Sequence, residues 1–206
     1  MLRSLNNLLG SSIQARDGEM GRACNFLFDD ETWTVRYVVV ETGSWFASRK
    51  VLISPAAVGQ PDWVERRLPV LLTKEQVRNS PDVDADQPVS RQQEIAMNRY
   101  YGWPDYWSLE FITLPEPQTG HPADTGGDAH LRSAREVAGY EVLATDGELG
   151  HVEDFIIDDA DWFVRYLAVG TGNWFAGHKL LVPTRWVGSV SWPDRRVLLS
   201  QPRDKI

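Results

Sequence analysis

The sequence predicts a mainly β protein: two small β-barrels from a gapless internal duplication, joined by a linker with short helices. Three observations carry this reading. Residues 2–71 and 131–200 align at one constant offset. Each copy holds short runs rich in β-branched and aromatic residues, separated by turn signals. Neither copy shows the apolar period of a helix.

The repeat comes first because it fixes the organisation. Leu2-Arg3-Ser4 recurs as Leu131-Arg132-Ser133, and 131 − 2 = 129 is the offset throughout. Asp17-Gly18-Glu19 recurs as Asp146-Gly147-Glu148, Trp33 as Trp162, and Trp63 as Trp192. Counting column by column gives 29 identities in 70 aligned positions. Stacking repeat arrays have periods of roughly 20–50 residues, so a period of this length is duplication of a whole folding unit. The division it implies is residues 1–72, a linker at 73–129, and residues 130–206.

Within each unit the elements follow in order. Gly10 to Ala15 and Gly139 to Ala144 read as short strands ending at Asp17-Gly18 and Asp146-Gly147. Asp-Gly supplies the positive φ that a tight hairpin needs. Return strands follow at Gly21 to Phe28 and Gly150 to Ile157, and Asp29-Asp30 and Asp158-Asp159 mark second turns. Trp33 to Glu41, Lys50 to Ile53 and Arg67 to Leu72 complete the first unit; Trp162 to Val169, Lys179 to Val182 and Arg196 to Leu199 complete the second. Short strands at this density suggest a closed barrel, because closure removes exposed edges. In the linker, Thr73 with Gln76 forms a capping-box pattern ahead of a short helix. Arg91 to Arg99 reads as a second helix, with Ile95 and Met97 as its apolar contacts, and Pro115 to Asp128 as a solvated tether. Arg36 and Arg165 stand among apolar strand neighbours, so each is expected to meet a carboxylate, first of all in the preceding Asp-Asp turns.

Composition narrows the function classes. Net charge is −8, the wrong sign for a protein whose main partner is a phosphate backbone. The longest apolar stretches are strand-sized, so no membrane insertion is expected, and a cytoplasmic location follows by default. One cysteine, Cys24, excludes an internal disulfide. His121, His130, His151 and His178 are scattered, and no paired spacing suggests a metal site. The Asp-Asp pairs are explained by turn formation, since neighbouring strand residues point to opposite faces. No phosphate loop or nucleophile arrangement stands out, so neither a cofactor nor an enzyme activity is expected.

Several of these residues together carry a resemblance. Asp-Gly-Glu-x-Gly, then Phe-x-x-Asp-Asp, Trp-x-Val-Arg-Tyr, Thr-Gly-x-Trp-Phe and Lys-x-Leu resemble the PRC-barrel domain in both copies. That family takes its name from the cytoplasmic domain of the photosynthetic reaction-centre H subunit. The linker, with Pro88 to Glu94 and Tyr100 to Pro104, resembles the insert of stand-alone bacterial proteins with paired barrels. The H subunit has a membrane helix and a single barrel, unlike this chain. The resemblance implies a barrel fold and a protein-binding scaffold or adaptor, with reaction-centre assembly or electron transfer as the setting of the family name. It implies no catalytic residue.

Two aromatic features are the candidate partner surface. Tyr100, Tyr101, Trp103, Tyr106 and Trp107 place five rings within eight residues, either as a lid over the barrels or as a binding patch. Trp45-Phe46 and Trp174-Phe175 sit in the repeated Thr-Gly-x-Trp-Phe loop, either folded over the barrel mouth or offered as interface anchors. An alternative is a small-ligand or regulatory module with an aromatic pocket between the barrels. The partner is expected to be a protein, and units of this small size also suggest a homodimer.

Overall fold

The computed structural model describes residues 1–43, 49–81, 89, 91–105, 131–171 and 179–206. Its elements are β1 (Leu2–Ser4), β2 (Ser12–Ala15), β3 (Gly18–Asp29), β4 (Thr34–Thr42), β5 (Lys50–Ile53), β6 (Arg67–Pro69), α1 (Lys74–Arg78) and α2 (Arg91–Tyr101). After the linker come β7 (Leu131–Ser133), α3 (Ala134–Val137), β8 (Glu141–Ala144), β9 (Gly147–Asp158), β10 (Val164–Gly170), β11 (Lys179–Pro183), β12 (Val187–Ser191) and β13 (Arg196–Leu199).

The Asp-Gly turns close the hairpins β2–β3 and β8–β9, with Gly18 at φ +125° and Gly147 at φ +143°. Each turn aspartate also ties down the segment after its sheet. Asp17 accepts from the Lys74 N–H at 2.9 Å, and Asp146 from the Arg203 N–H at 2.9 Å. Gly21 and Gly150 let the next strand cross close overhead: a Cβ would lie 2.2 Å from the Glu41 carbonyl oxygen and 2.0 Å from that of Gly170. Asp29 acts as a turn former, accepting from the Glu31 and Thr32 N–H groups at 2.9 Å each.

The strands run β5-β4-β3-β2-β6 in one sheet and β11-β10-β9-β8-β13-β12 in the other. Neither sheet is a closed barrel, which corrects the expectation from strand density. Both ladders stop at prolines. β6 ends at Pro69, β11 ends at Pro183, and Pro55 opens a 3-10 turn just after β5. Proline has no N–H to donate, so Pro69 and Pro183 add no donor at the ends of β6 and β11. In the first half two isolated bridges, Val58 to Val70 and Asp62 to Arg67, join the segment after β5 to the region of β6.

The three-residue strands had no period to reveal them, and they are the main departure from expectation. β1 pairs with β9 of the other half, and β7 pairs with β3. The pairing is reciprocal: Leu2 faces Asp158 and Leu131 faces Asp29, with both partners shifted by 129. The side chains repeat the exchange. Ser4 donates to Asp154, while Ser133 accepts from the Asn25 amide at 2.9 Å. Arg3 lies 4.6 Å from the Trp63 ring centre and 3.4 Å from Asp159; Arg132 lies 5.4 Å from the Trp192 ring centre and 2.7 Å from Asp30.

Two tryptophans complete the junction. Trp33 and Trp162 have φ of 56° and 61°, a left-handed conformation that costs a bulky residue about 1–2 kcal/mol. The turn aims each carbonyl across the junction. The Val164 N–H donates to Trp33 at 2.7 Å, and the Val35 N–H donates to Trp162 at 2.9 Å. Phe28 stacks on Trp33 at 5.5 Å and meets Phe155 of the other half at 5.2 Å. One buried cluster runs through both halves, from Ile13 and Phe26 to Tyr140 and Leu167.

Candidate partner-binding surface

The described part of the linker packs mainly on the first half. Thr73 caps α1 with the reciprocal Gln76 bond that the sequence predicts. α2 then lies against the outer face of the first sheet. Leu27, Tyr37, Val39 and Leu52, which point away from the main core, pack with Met97, Val89 and Leu131 in a second buried cluster. Met97 is buried as expected, but Ile95 is exposed, because it lies on the opposite side of the helix.

The described aromatic residues of the linker belong to this cover. Tyr101 stacks on Trp103 at 4.2 Å with rings 16° apart, and both pack against the second cluster. Burial raises the Tyr101 phenol above its ordinary pKa, opposed by the nearby Ser80 and by Arg49. Tyr100 meets Tyr101 edge-on at 4.8 Å, stays partly exposed, and donates to the Gln76 carbonyl at 2.9 Å. Trp45, Phe46, Tyr106, Trp107, Trp174 and Phe175 lie outside the described residues, as do His121, His130 and His178.

The second sheet has a corresponding outer face, on which no helix packs among the described residues. Shifting the receiving residues by 129 gives Ile156, Tyr166, Ala168 and Leu181, and Leu2 takes the place of Leu131. Leu52 is 1 % exposed and Leu131 7 %, whereas Leu181 is 55 % exposed and Leu2 49 %. Phe163, beside them at the junction, is also exposed. On the same face Ile156 and Tyr166 are half-buried and Ala168 is buried, so the exposed apolar surface is that of Leu2, Leu181 and Phe163. Single exposed apolar side chains are ordinary on a protein surface, whereas several on one face mark an interaction site.

Two corresponding clefts at the junction carry the same asymmetry. One, of about 180 Å³, is lined by residues 34–37, Ser54-Pro55-Ala56 and Trp162, and is flanked by Asn98 and Pro104 of the linker. Its counterpart, about 520 Å³, is lined by residues 163–166, Pro183-Thr184-Arg185, Thr32, Trp33 and Leu2, with no described linker residue in its wall. Arg36 meets Asp29 at 3.2 Å, and Arg165 meets Asp158 at 3.8 Å and Asp161 more closely, so both arginines find the Asp-turn carboxylates expected of them. Arg185 replaces Ala56 and, among the described residues, has no carboxylate partner; its guanidinium lies 5.8 Å from the Trp186 ring centre.

The aromatic motifs drew attention to the linker, while Leu2, Phe163, Thr184, Leu181 and Arg185 passed unnoticed. A usable signal was present. Val35 to Val40 is apolar almost throughout, as is Tyr166 to Val169, and a strand apolar on both faces expects cover on both. Two such runs stand beside one linker helix.

Comparison with known proteins bears on this half. A protein of Deinococcus radiodurans described as uncharacterized is 33% identical over 88 residues, which is 42% of this chain. The match spans about a third of that relative, 31% of its length. Among the described residues, no helix is long and apolar enough to cross a membrane. Residues 130–206, which supply the second sheet and most of the open cleft, carry a PRC-barrel domain.

Proposed function

We propose that the protein is a non-enzymatic scaffold or adaptor that holds a protein partner on the outer face of its second sheet. Residues 1–72 and 130–206 are then the two barrel-type units, and the described part of the 73–129 linker covers the first. The observation that carries this is the unequal cover of corresponding residues: Leu52 is buried under α2, while Leu181 faces solvent. Burial of a leucine is worth roughly 1.5–3 kcal/mol, so a partner has apolar surface there to gain. Photo-crosslinking from position 181 in living cells tests the reading. A discrete protein adduct is expected from Leu181 and not from Val64, which is exposed on the first half. No adduct, or the same adducts from both positions, overturns it. An adduct of the chain with itself assigns the face to a homodimer, and light scattering then gives a mass above 23.3 kDa.

The open cleft favours a second reading, a small-ligand module. Its volume lies in the usual range for ligand pockets, and Trp33, Tyr166, Thr32 and Thr184 combine aromatic walls with hydroxyls. Thr184→Trp fills the cleft and separates the two. A ligand module loses binding, whereas the scaffold keeps its crosslink at Leu181.

A further inference from the structure

We infer that the outer face of the second sheet, where Leu2 and Leu181 are exposed, receives an amphipathic helix of a partner protein, laid as α2 lies on the first sheet and carrying a carboxylate opposite Arg185. This rests on the scaffold reading and adds the shape and charge of the partner. The template is within the chain. α2 buries Glu94, Met97 and Asn98 and packs Tyr101 on the second cluster. Those positions are i, i+3, i+4 and i+7, a single stripe of a helix. The surface beneath is Leu27, Tyr37, Val39, Leu52 and Leu131. Its counterpart is Ile156, Tyr166, Ala168, Leu181 and Leu2, apolar or tyrosine at each place. Helix-in-groove recognition uses this spacing of anchors.

Charge then selects among helices. Asn98 and Ala56 line the smaller cleft together with one cation and one anion, Arg36 and Asp161, so a neutral side chain meets a wall whose charges balance. In the open cleft Arg185 stands where Ala56 would be. Arg165 is already answered by Asp158 and Asp161, which leaves Arg185 as the added cation. A helix with Asp or Glu at the place of Asn98 answers it; one with Asn does not. The net charge of −8 opposes an acidic partner at long range, but charges are largely screened beyond about 8 Å at physiological salt, so the local arginine decides.

The experiment uses the full chain, labelled with 15N, and two synthetic peptides of residues 91–105, one with the natural sequence and one with Asn98→Asp. Both peptides are expected to shift the amides of Leu2, Tyr166 and Leu181. The N98D peptide should bind about two- to fivefold tighter at low salt, the usual worth of an exposed ion pair. Arg185→Ala should abolish that preference and keep the binding. Leu181→Lys, a surface change that leaves the rest of the spectrum intact, should weaken both peptides by about tenfold or more, because a charge replaces the apolar contact. Three results overturn the inference: no shift from either peptide at about millimolar concentration, the weak end of specific binding; shifts at Tyr37 and Leu52 instead, where the peptide merely exchanges with α2; or concentration-dependent shifts at Leu181 without peptide, which assign the face to a second copy. Equal affinity of the two peptides overturns the carboxylate. If the peptides fail while Leu181 still crosslinks in cells, the scaffold stands and the helix falls. If they bind while no crosslink forms, the scaffold reading falls.

Discussion

At the scale of residues, the same side chain does different work in the two halves because its surroundings differ. Arg36 and Asp29 are largely shielded from water, whereas Arg165 is about two-fifths exposed. Truncating Arg36 leaves a shielded carboxylate without its ion partner, and Arg36→Ala is expected to cost about 1–3 kcal/mol. Arg165→Ala should cost less than about 1 kcal/mol, as exposed pairs do. Urea unfolding of the two variants checks the ranking, and equal costs would show that burial does not set it. Tyr101 and Tyr140 give a pH dependence. Burial is the first cause that raises both phenols above their ordinary value of 10.0. Above pH 10 the unfolded chain gives up these protons while the folded chain keeps them, so stability is fully present below pH 10 and falls as pH rises beyond it. Thermal melts from pH 8 to 11 should show that decline, and Tyr101→Phe should make it shallower. A decline as steep in the variant would remove Tyr101 from the account.

At the scale of elements, α2 behaves as a cover held by one stripe. Met97→Ala should cost about 2–4 kcal/mol, the range for emptying a buried methionine site. Ile95→Ala should stay within about 0.5 kcal/mol, as a surface change does. Denaturation curves that coincide for the two variants would mean that α2 does not stay docked. Much of this was legible beforehand. Asp-Gly turns, the Thr73 capping box and the two runs of strand residues announce themselves through local chemistry. Closed barrels were a misreading, since density of strands says nothing of where a ladder stops, as β6 does at Pro69 and β11 at Pro183. β1 and β7 were invisible for a different reason. Leu-Arg-Ser has no strand signal by itself and becomes a strand because the edge that receives it belongs to the other half. The open face needed a comparison of the copies, position by position, rather than a search for aromatic clusters.

At the scale of the whole molecule, the halves share one core and exchange their first strands, so neither is complete without the other. The exchanged strands are identical in sequence, Leu-Arg-Ser in both. A fragment of residues 130–206 therefore carries a strand that fits its own sheet, but only in the position that β1 takes from outside. The fragment is expected to form a homodimer in which each copy gives Leu131–Ser133 to the other, with Phe163 at the junction facing its own mate. Light scattering should give twice the fragment mass, and Ser133→Pro, which removes an N–H from the exchanged strand, should shift it to monomer or unfold it. A stable monomeric fragment with a native-like spectrum would show that the exchange is dispensable.

The exchange also sets an order on synthesis. Residues 2–4 leave the ribosome well before their partners at 156–158, which are made more than 150 residues later, since 156 − 4 = 152. The first sheet must likewise wait for residues 131–133 to cover the end of β3. A nascent chain that has finished its first half thus carries an open edge at 27–29, with apolar side chains beside it, until the second half emerges. Contacts this distant in sequence are slow to form. Residues 2–4 are made early and seated late.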